Sequence, residues 1–304
     1  MKMLLTGATG FVGRNLESIY SELFRCVIRN GESHSFEDAY LIDSLNRYTK
    51  WDGTFDNCES VIHLAGLAHS NNYSKEDYQS VNVDGTLHLA AEAVKAGVKR
   101  FVFVSSIGVN GTSTKLIPFM INSEPNPHNA YAQSKYDAEV GLHKIAEESG
   151  LEVVIVRPTL VYGTNAPGNF GSLSKLVQQL PFLPFGLTDN KRDFIAVQNL
   201  VDLLITCAKH PKAAGHTFLA SDGESVSIKT FTDAIAKGLN TPLIQIPVPT
   251  ILMQLTARMV GKTAMIEQLL GNLEVDSSNA KDVLGWTPPY TMEQAMTSLS
   301  ESTK

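Results

Sequence analysis

Cysteine and long apolar runs are both scarce in this sequence. Its three cysteines, Cys26, Cys58 and Cys207, lie far apart in 304 residues, which excludes a disulfide framework and a zinc site built from paired cysteines. No apolar stretch approaches the roughly 20 residues that a membrane-spanning helix requires, and no signal-peptide core precedes the early glycines. We therefore expect a cytoplasmic protein without a metal site.

Positive charge is not in excess either. The chain has 25 Lys and Arg residues against 31 Asp and Glu residues, which gives a formal net charge of −6. Such a balance does not favour nucleic acid or an anionic membrane as a partner. The hydrophobic content of 43% is that of a globular protein, and the length allows one large domain or two coupled domains.

Three glycines spaced three apart follow the short apolar run near the start of the chain. The stretch "MLLTGATGFVG" places Gly7, Gly10 and Gly13 between an expected strand and a helix that begins with Phe11 and Val12. In a dinucleotide-binding turn, such glycines allow a tight turn, a close backbone approach to the pyrophosphate and close helix packing. The free N–H groups of the helix N-terminus then favour phosphate. We interpret the stretch as a dinucleotide site, although the spacing alone also fits an accidental turn.

Short β-type runs alternate with helical patterns through the first half of the chain. The runs are continuous in Val, Ile and Phe, which is typical of strands buried on both faces of a parallel sheet. This alternation predicts an α/β fold, a Rossmann-type doubly wound parallel sheet with helices on both faces. The expected strands are 2–5, 25–28, 60–64, 101–104 and 152–156, and the expected helices are 11–23, 78–96 and 131–149.

The composition changes after Gly163, where Gly, Pro and Asn become frequent. We expect a smaller, mostly C-terminal substrate-binding domain there, which covers the carboxyl edge of the sheet. The dinucleotide-binding domain is predicted to span 1–163 plus 193–213, because 194–210 has the pattern of a strand and helix that return to the sheet. The substrate domain takes 164–192 plus 214–304.

Arg29 stands at the end of the second expected strand, where NAD sites usually carry a carboxylate for the ribose 2′-hydroxyl. An arginine at this position suits the 2′-phosphate of NADP instead. The sequence therefore favours NADP as the cofactor, with NAD as the alternative. A solvated surface arginine is the other explanation.

Tyr131 and Lys135 form a Y-x-x-x-K pair, which places both side chains on one face of a helix. A lysine ammonium one turn away is expected to lower the pKa of the phenol and so prepare it for acid–base work. Ser105 and Ser106 end the strand "FVFVSS" at the edge where open α/β sheets bind ligands. Surface helix pairs and turn-capping serines are each common, but the combination indicates a catalytic site.

Eight motifs resemble, in sequence order, those of extended short-chain dehydrogenases/reductases of the NAD-dependent epimerase/dehydratase family, which act on nucleotide sugars. They extend over nearly the whole chain and are more specific for the family than for the substrate. The motifs are "TGATGFVG" (6–13), "VIHLAG" (61–66), "VNVDGT" (81–86), "FVSSIGVNG" (103–111), "YAQSK" (131–135), "RPTLVYG" (157–163), "RDFIAVQNLVD" (192–202) and "LGWTPP" (284–289).

The resemblance implies roles for individual residues. It implies three catalytic residues: Ser106 holds the sugar oxygen, Tyr131 is the acid/base and Lys135 activates Tyr131. Substrate contacts are implied for Ser106, for Asn169 and for Arg192, whose guanidinium suits a nucleotide diphosphate unless a nearby carboxylate pairs with it. The residues implied in cofactor binding are Gly7, Gly10, Phe11, Val12, Gly13, Arg29, Ala65, Gly66, Asn82, Ser105, Tyr131, Lys135 and Pro158.

The resemblance also narrows the reaction. Related 4,6-dehydratases carry an acidic pair after the catalytic hydroxyl, whereas this chain has Ile107 and Gly108, so dehydration is not expected. Related epimerases have V-Y-G where residues 109–111 are V-N-G. Together with Arg29, this favours reduction by NADPH. The segments "LPFGLTDNKRDFIAVQNLVD" and "GNLEVDSSNAKDVLGWTPP" resemble bacterial reductases of the C4 keto group of UDP-4-keto-6-deoxy-N-acetylhexosamines, which make precursors of surface polysaccharides, so such a reductase is the expected function.

Two alternatives remain open. One is a UDP-glucose or UDP-N-acetylglucosamine 4-epimerase with tightly bound NAD. The other is a non-catalytic NADP-binding regulator, a class that tends to lose the tyrosine or lysine kept here. The resemblance further implies a homodimer through a four-helix bundle of 78–96 and 131–149. The small residues that would allow this contact, or simply pack on the sheet, are Ala90, Ala91, Ala93 and Val94.

A few histidines and a tryptophan have simpler interpretations. His63 lies within a buried strand and is expected to be a core residue, and Trp286 is expected to serve packing. His69 and His128 lie near loops that border the expected substrate site, where a surface position is the simpler interpretation.

Overall fold

The computed structural model of the chain describes residues 2–68, 70, 72–259, 261 and 263–301. Its strands are β1 (Lys2–Thr6), β2 (Phe24–Arg29), β3 (Ala39–Ile42), β4 (Cys58–His63), β5 (Arg100–Val104), β6 (Glu152–Pro158), β7 (Leu160–Tyr162), β8 (Phe182–Leu183), β9 (Phe194–Ala196), β10 (Thr217–Ala220) and β11 (Ile244–Gln245). Its α-helices are α1 (Phe11–Tyr20), α2 (Lys75–Tyr78), α3 (Thr86–Lys95), α4 (Ala130–Ser149), α5 (Gly168–Gln179), α6 (Val197–Lys209), α7 (Ile228–Gly238), α8 (Thr250–Met259), α9 (Thr263–Leu270), α10 (Ser278–Leu284) and α11 (Met292–Glu301).

Seven parallel strands form the central sheet in the order β10-β6-β5-β4-β1-β2-β3. The predicted Rossmann-type sheet is therefore confirmed. The chain proceeds outward in both directions from the neighbouring strands β1 and β4. The strand order thus reverses at their carboxyl ends, which is where open α/β sheets bind ligands.

Apolar cores cover both faces of this sheet. Leu5 contributes to the core under α1 and α6, whereas its neighbour Leu4 contributes to the core under α3 and α4, and both are fully buried. Successive strand residues point to opposite faces. The unbroken apolar runs of the sequence are explained by this double cover.

A third core lies around α5, α7 and α11, and includes the stacked rings of Phe194 and Phe231, whose centroids are 3.7 Å apart. It corresponds to much of the expected substrate domain. One boundary is wrong, because Thr217–Ala220 was assigned to that domain but pairs with β6 in the central sheet. Ser278–Leu284 also packs with this sheet's core, and Trp286, a packing residue as expected, is buried there.

Several helices differ in detail from the sequence prediction. The helix expected over 11–23 ends at Tyr20 and continues as a 3₁₀ turn, Ser21–Leu23. The helix expected over 78–96 consists of α2, a π-helical stretch at Gln79–Gly85, and α3. Among the described residues, no helix is both long and apolar enough to cross a membrane.

The small residues of α3 mostly face the sheet. Ala90 and Ala93 are fully buried in the core between α3, α4 and the strands. For these two alanines the structure thus shows the second of the two explanations, packing against their own sheet. Only Ala91 and Val94 retain partial exposure.

Candidate active site

The carboxyl ends of the central strands bring the predicted catalytic residues to one edge of the sheet. Ser105 and Ser106 directly follow β5, and α4 begins beside them. The side chain of Asn129 caps α4 by accepting a hydrogen bond from the N–H of Ala132 at 2.8 Å. This cap fixes the helix start, so Tyr131 lies in its first turn.

Ser106 and Tyr131 are joined by a hydrogen bond between their side chains. The ring of Tyr78 packs edge-on against that of Tyr131, with centroids 6.1 Å apart. Burial raises the pKa of Tyr131 to about 12, against the opposing effect of the Ser106 hydrogen bond. The phenol is therefore protonated at neutral pH in this geometry and is suited to donate a proton.

Lys135 is buried one helical turn further along α4. Its ammonium donates to the carbonyl of Val104 at 3.0 Å and lies 4.7 Å from the ring centre of Phe103. Burial lowers the pKa of Lys135 to about 8, while the charge of Glu139 opposes this shift. The expected lowering of the Tyr131 pKa is not found, because desolvation of the phenol outweighs the influence of its neighbours.

Asn82 lies in the π-helical stretch and is almost fully buried. Its amide oxygen accepts from the N–H of Leu67 at 2.7 Å, and its nitrogen donates to Ser134 Oγ at 3.0 Å. A Cβ atom on Gly66 would lie 2.8 Å from the Asn82 oxygen and 3.6 Å from Lys135 Nζ. Asn82 thus fixes the loop after β4 beside the lysine, as π-helical insertions often do at functional sites.

The glycine turn has the geometry that a pyrophosphate requires. Gly7 has a φ of +74°, and a Cβ on Gly13 would lie only 2.2 Å from the Gly7 oxygen. Gly10 begins α1, and neither a side-chain cap nor an acidic first-turn residue occupies this end among the described residues. The buried Ser105 hydroxyl also has no hydrogen-bond partner among them. These residues fit a bound dinucleotide, whose phosphates would accept from the free N–H groups.

Arg29 is less available than the sequence suggested. Its guanidinium binds Glu32, with Nε 2.8 Å from Oε1, and the other carboxylate oxygen accepts from Thr9 Oγ1 at 2.7 Å. Partial burial favours the neutral acid, but the Thr9 and Arg29 hydrogen bonds outweigh it and lower the pKa of Glu32. The sequence interpretation overlooked this carboxylate. Its position three residues after the end of β2 was the available signal.

Arg192 lies half-buried where the expected substrate domain meets the edge of the central sheet. Its Nη1 donates to the Gly271 carbonyl at 2.9 Å, and burial lowers its pKa to about 10. The adjacent Asp193 accepts instead from Ser225 and from the N–H of Val275. The alternative of an ion pair between Arg192 and Asp193 is thus not what the structure shows, and the guanidinium retains donors for an anion.

The remaining predicted site residues are placed as follows. Pro158 is buried at the end of β6, Ala65 is partly exposed after β4, and Asn169 is exposed in the first turn of α5. Phe11 and Val12 are partly buried against the core under α1. For all five of these residues, the contacts with cofactor or substrate stay predictions.

The histidines that the structure describes do not form a metal centre. His63 is fully buried, as expected, between hydrogen bonds to Thr6 and Thr86, and burial lowers its pKa to about 3. His128 contacts the Asn129 amide, and His69 lies outside the described residues. No group of three or more potential metal ligands occurs in the part of the chain that the structure describes.

Comparisons with known proteins agree with this architecture. Residues 3–220 match the NAD dependent epimerase/dehydratase family. A UDP-glucose 4-epimerase from Vibrio cholerae is 40% identical over 302 residues, covering 96% of this chain and 92% of the relative. The chain therefore belongs to the NAD-dependent epimerase/dehydratase family, and the resemblance drawn from its motifs is confirmed. It is an NAD(P)-dependent nucleotide-sugar enzyme, of the epimerase or reductase type.

Solved structures share the whole fold. UDP-glucose 4-epimerase from Thermotoga maritima, with UDP-glucose, has a TM-score of 0.77 at 22% identity and covers 100% of this chain and 98% of its own. RMD from Pseudomonas aeruginosa, complexed with NADPH, has a TM-score of 0.73 at 21% identity and covers 99% of both chains. These likenesses show the fold.

Proposed function

We propose that the chain is a UDP-hexose 4-epimerase that retains NAD. The observation that carries this proposal is the 40% identity, over almost the whole chain, to the Vibrio cholerae UDP-glucose 4-epimerase. The comparison supports the 4-epimerase, the alternative in the sequence analysis, better than the ketoreductase that was favoured there. The retained Ser106, Tyr131 and Lys135 argue against a non-catalytic regulator.

Two of the sequence features that favoured a ketoreductase, Arg29 and Asn110, carry less weight in the structure. Arg29 is paired with Glu32, so its charge is already compensated. Asn110, which replaces the tyrosine of related epimerases, accepts a hydrogen bond from the buried Arg157 at 3.0 Å. Its presence therefore has a structural explanation that does not require a reductase.

Glu32 supports NAD as the cofactor. Its charged carboxylate is held at the glycine turn by Thr9, in the region where the adenosine ribose is expected. A carboxylate there accepts a hydrogen bond from a ribose 2′-hydroxyl and repels a 2′-phosphate. A tightly retained NAD also suits a 4-epimerase, because no net reduction occurs.

The catalytic residues would handle the proton of the sugar 4-hydroxyl. The glycine turn of Gly7, Gly10 and Gly13 would hold NAD, which would supply the hydride acceptor and hydride donor for C4. Tyr131 would act as a phenolate, after its own proton has left to solvent: it would take the hydroxyl proton as C4 is oxidised and give it back afterwards. Ser106 holds the same oxygen through its hydroxyl. The ammonium of Lys135, one turn away, stabilises the phenolate that forms when Tyr131 gives up its proton.

Arg192 would bind the UDP diphosphate, because its planar donors match phosphate oxygens and its burial strengthens the attraction. Asn169 is proposed as a further substrate contact. The substrate domain is proposed to comprise 164–192 plus 214–304 apart from the sheet strand 217–220, with the rest forming the NAD-binding domain.

We further propose that the protein works in the cytoplasm as a homodimer. All three cysteines are free and buried, which suits a reducing compartment. The dimer would use the exposed surfaces of α3 and α4, where Val140 has 52% of its surface exposed. Sedimentation analysis of the wild-type chain and of Val140→Glu tests this contact, since only a dimer through α4 would dissociate.

The function is tested by incubating the purified protein with UDP-glucose or UDP-N-acetylglucosamine without added cofactor. Product sugars are separated by chromatography, and cofactor released by acid is identified. Interconversion with the matching galacto epimer and release of NAD support the proposal. Absence of epimer, together with stoichiometric NADPH oxidation by a UDP-4-keto-6-deoxy-N-acetylhexosamine, would establish the reductase instead.

A further inference from the structure

Three polar residues form a buried network behind the catalytic site. The carboxylate of Glu139 accepts from Arg157 Nε at 2.9 Å and from Nη2 at 2.5 Å, and both side chains are less than a tenth exposed. Nη1 of the same arginine donates to Asn110 Oδ1 at 3.0 Å. Asn110 is itself only 2% exposed.

Each member of this network belongs to a different segment of the site. Asn110 ends the 3₁₀ turn that begins after Ser106. Arg157 directly precedes Pro158 at the end of β6. Glu139 follows Lys135 by one turn of α4, and so lies on the same side of that helix. One guanidinium therefore links the serine loop, the sheet edge and the catalytic helix.

Stability alone does not account for such a network. A buried ion pair is often no more stable than well-packed apolar residues of the same volume, because both charges must be desolvated. Its geometry, however, is directional, since a bidentate arginine donates to its partners only in its own plane. A directional network of this kind is suited to fixing the positions and charges of the side chains around it.

Resting on the proposed 4-epimerase function, we propose that Asn110, Arg157 and Glu139 are positioning residues that set Ser106 against the catalytic helix and keep Lys135 charged. The carboxylate of Glu139 is the anionic group that favours the ammonium against burial. The other titratable groups around Lys135 are His63 on β4, which is neutral, and Tyr131 on α4. Neither provides a negative charge in this structure.

Glu139→Gln tests the proposal most sharply. It keeps the shape of the side chain but removes the charge that acts on Lys135. We expect kcat for UDP-glucose to fall on the order of 10- to 100-fold through misplacement, with KM changed less than about threefold. Because the ammonium loses its anionic neighbour, the alkaline limb of the pH profile of kcat moves to lower pH.

A matched control lies at the starts of β5 and β6, at the edge of the sheet opposite to the catalytic site. Arg100 at the start of β5 donates to Glu152 at the start of β6, with Nε 2.8 Å from Oε2. Glu152→Gln removes an Arg–Glu interaction from the same sheet, far from the catalytic edge. We expect it to lower thermal stability without moving the pH profile.

The double variant Glu139→Met/Arg157→Met separates positioning from folding. Removal of both charges avoids leaving one of them buried alone, so we expect a higher unfolding temperature than that of Glu139→Gln. The kcat should nevertheless remain low. Recovery of kcat along with stability would overturn the proposal, because the network would then serve folding only.

A readout independent of turnover is the NMR titration of ¹³Cε-labelled lysine, with Lys135→Met to assign the signal. The Lys135 midpoint should move to lower pH in Glu139→Gln and stay unchanged in Glu152→Gln. An unchanged midpoint and an unchanged kcat profile in Glu139→Gln would overturn the network proposal. If the wild-type chain does not epimerise, the proposed function fails, and this titration still decides the role of Glu139.

Discussion

Thr9 Oγ1 donates a 2.7 Å hydrogen bond to Glu32 Oε2. This contact connects the loop after β2, which contains Glu32, to the glycine turn after β1. The two residues are 23 positions apart, and both lie beside the switch in strand order. The carboxylate also holds Arg29. A nearby acid thus compensates the charge of Arg29, on which the sequence prediction of NADP was based.

Cofactor preference should depend on this carboxylate. We expect Glu32→Ser to release Arg29 and to raise the affinity for NADPH relative to NADH about 10- to 100-fold, which corresponds to roughly 1.4 to 2.8 kcal/mol. Fluorescence titration with both reduced cofactors measures the ratio. Arg29→Gln is the control and should weaken only NADPH. Preferential NADPH binding by the wild-type chain would contradict the assignment.

The glycine turn predicts a graded steric effect. Gly13→Ala places a methyl group 2.2 Å from the Gly7 oxygen, whereas Gly10→Ala leaves 3.2 Å to the same atom. We expect Gly13→Ala to lose stability by about 1 to 3 kcal/mol or more and to bind NADH at least tenfold more weakly. Urea unfolding and NADH fluorescence measure both. Equal effects of the two variants would show that the close approach of residue 13 to the Gly7 oxygen does not determine stability or NADH binding.

Removal of the phenolic hydroxyl should separate binding from chemistry. Tyr131→Phe is expected to lower kcat roughly 100- to 10,000-fold while NADH affinity stays within about tenfold. Tyr78→Phe keeps the ring that packs against Tyr131 and loses only its hydrogen bonds to Ala68 and Ser70. It serves as the control, with a kcat loss below about tenfold. Near-normal turnover of Tyr131→Phe would show that the Tyr131 hydroxyl is not the acid/base.

His63 predicts a specific loss of stability in acid. Its pKa is about 3 in the folded protein because of burial, against about 6.5 in an unfolded chain. The unfolded state therefore binds one more proton as the pH falls from about 6.5 towards 3. This single group should lower the free energy of unfolding by about 2 kcal/mol between pH 7.5 and pH 5.

His63→Gln tests that linkage, since the amide can hydrogen-bond but does not titrate in this range. Urea unfolding at pH 7.5 and pH 5 should show a difference that is smaller in the variant by about the same 2 kcal/mol. An identical pH dependence in both proteins would mean that His63 is not the titrating group.

Arg192 should act mainly on the nucleotide. We expect Arg192→Met to weaken UDP binding about 10- to 100-fold, because a charge-assisted contact of about 1.5 to 3 kcal/mol is lost. Calorimetry with UDP gives the value. Lys191→Met is the control, because it removes an exposed charge at the neighbouring position. A similar loss in both variants would point to general electrostatics and not to a diphosphate contact.

The sequence predicted much of the sheet and of the catalytic edge because the signals are local. Continuous apolar runs marked the buried strands, glycine spacing marked the first turn, and Tyr131 and Lys135 share a helix. The pairing of Thr217–Ala220 with β6 was missed, since partners about 60 residues apart leave no local pattern. The Tyr131 pKa was misjudged because burial depends on the complete fold, and Glu32 was missed because its contact with Thr9 is not local.

The most direct test of the account follows the hydrogen at C4 of the sugar. The wild-type protein, with no cofactor added, is given UDP-glucose carrying deuterium at C4, and the products are examined by NMR. The account predicts UDP-galactose that retains deuterium at C4, with no net change in reduced cofactor. UDP-galactose that has lost the label would contradict it, as would the absence of any epimer from a chain that contains NAD.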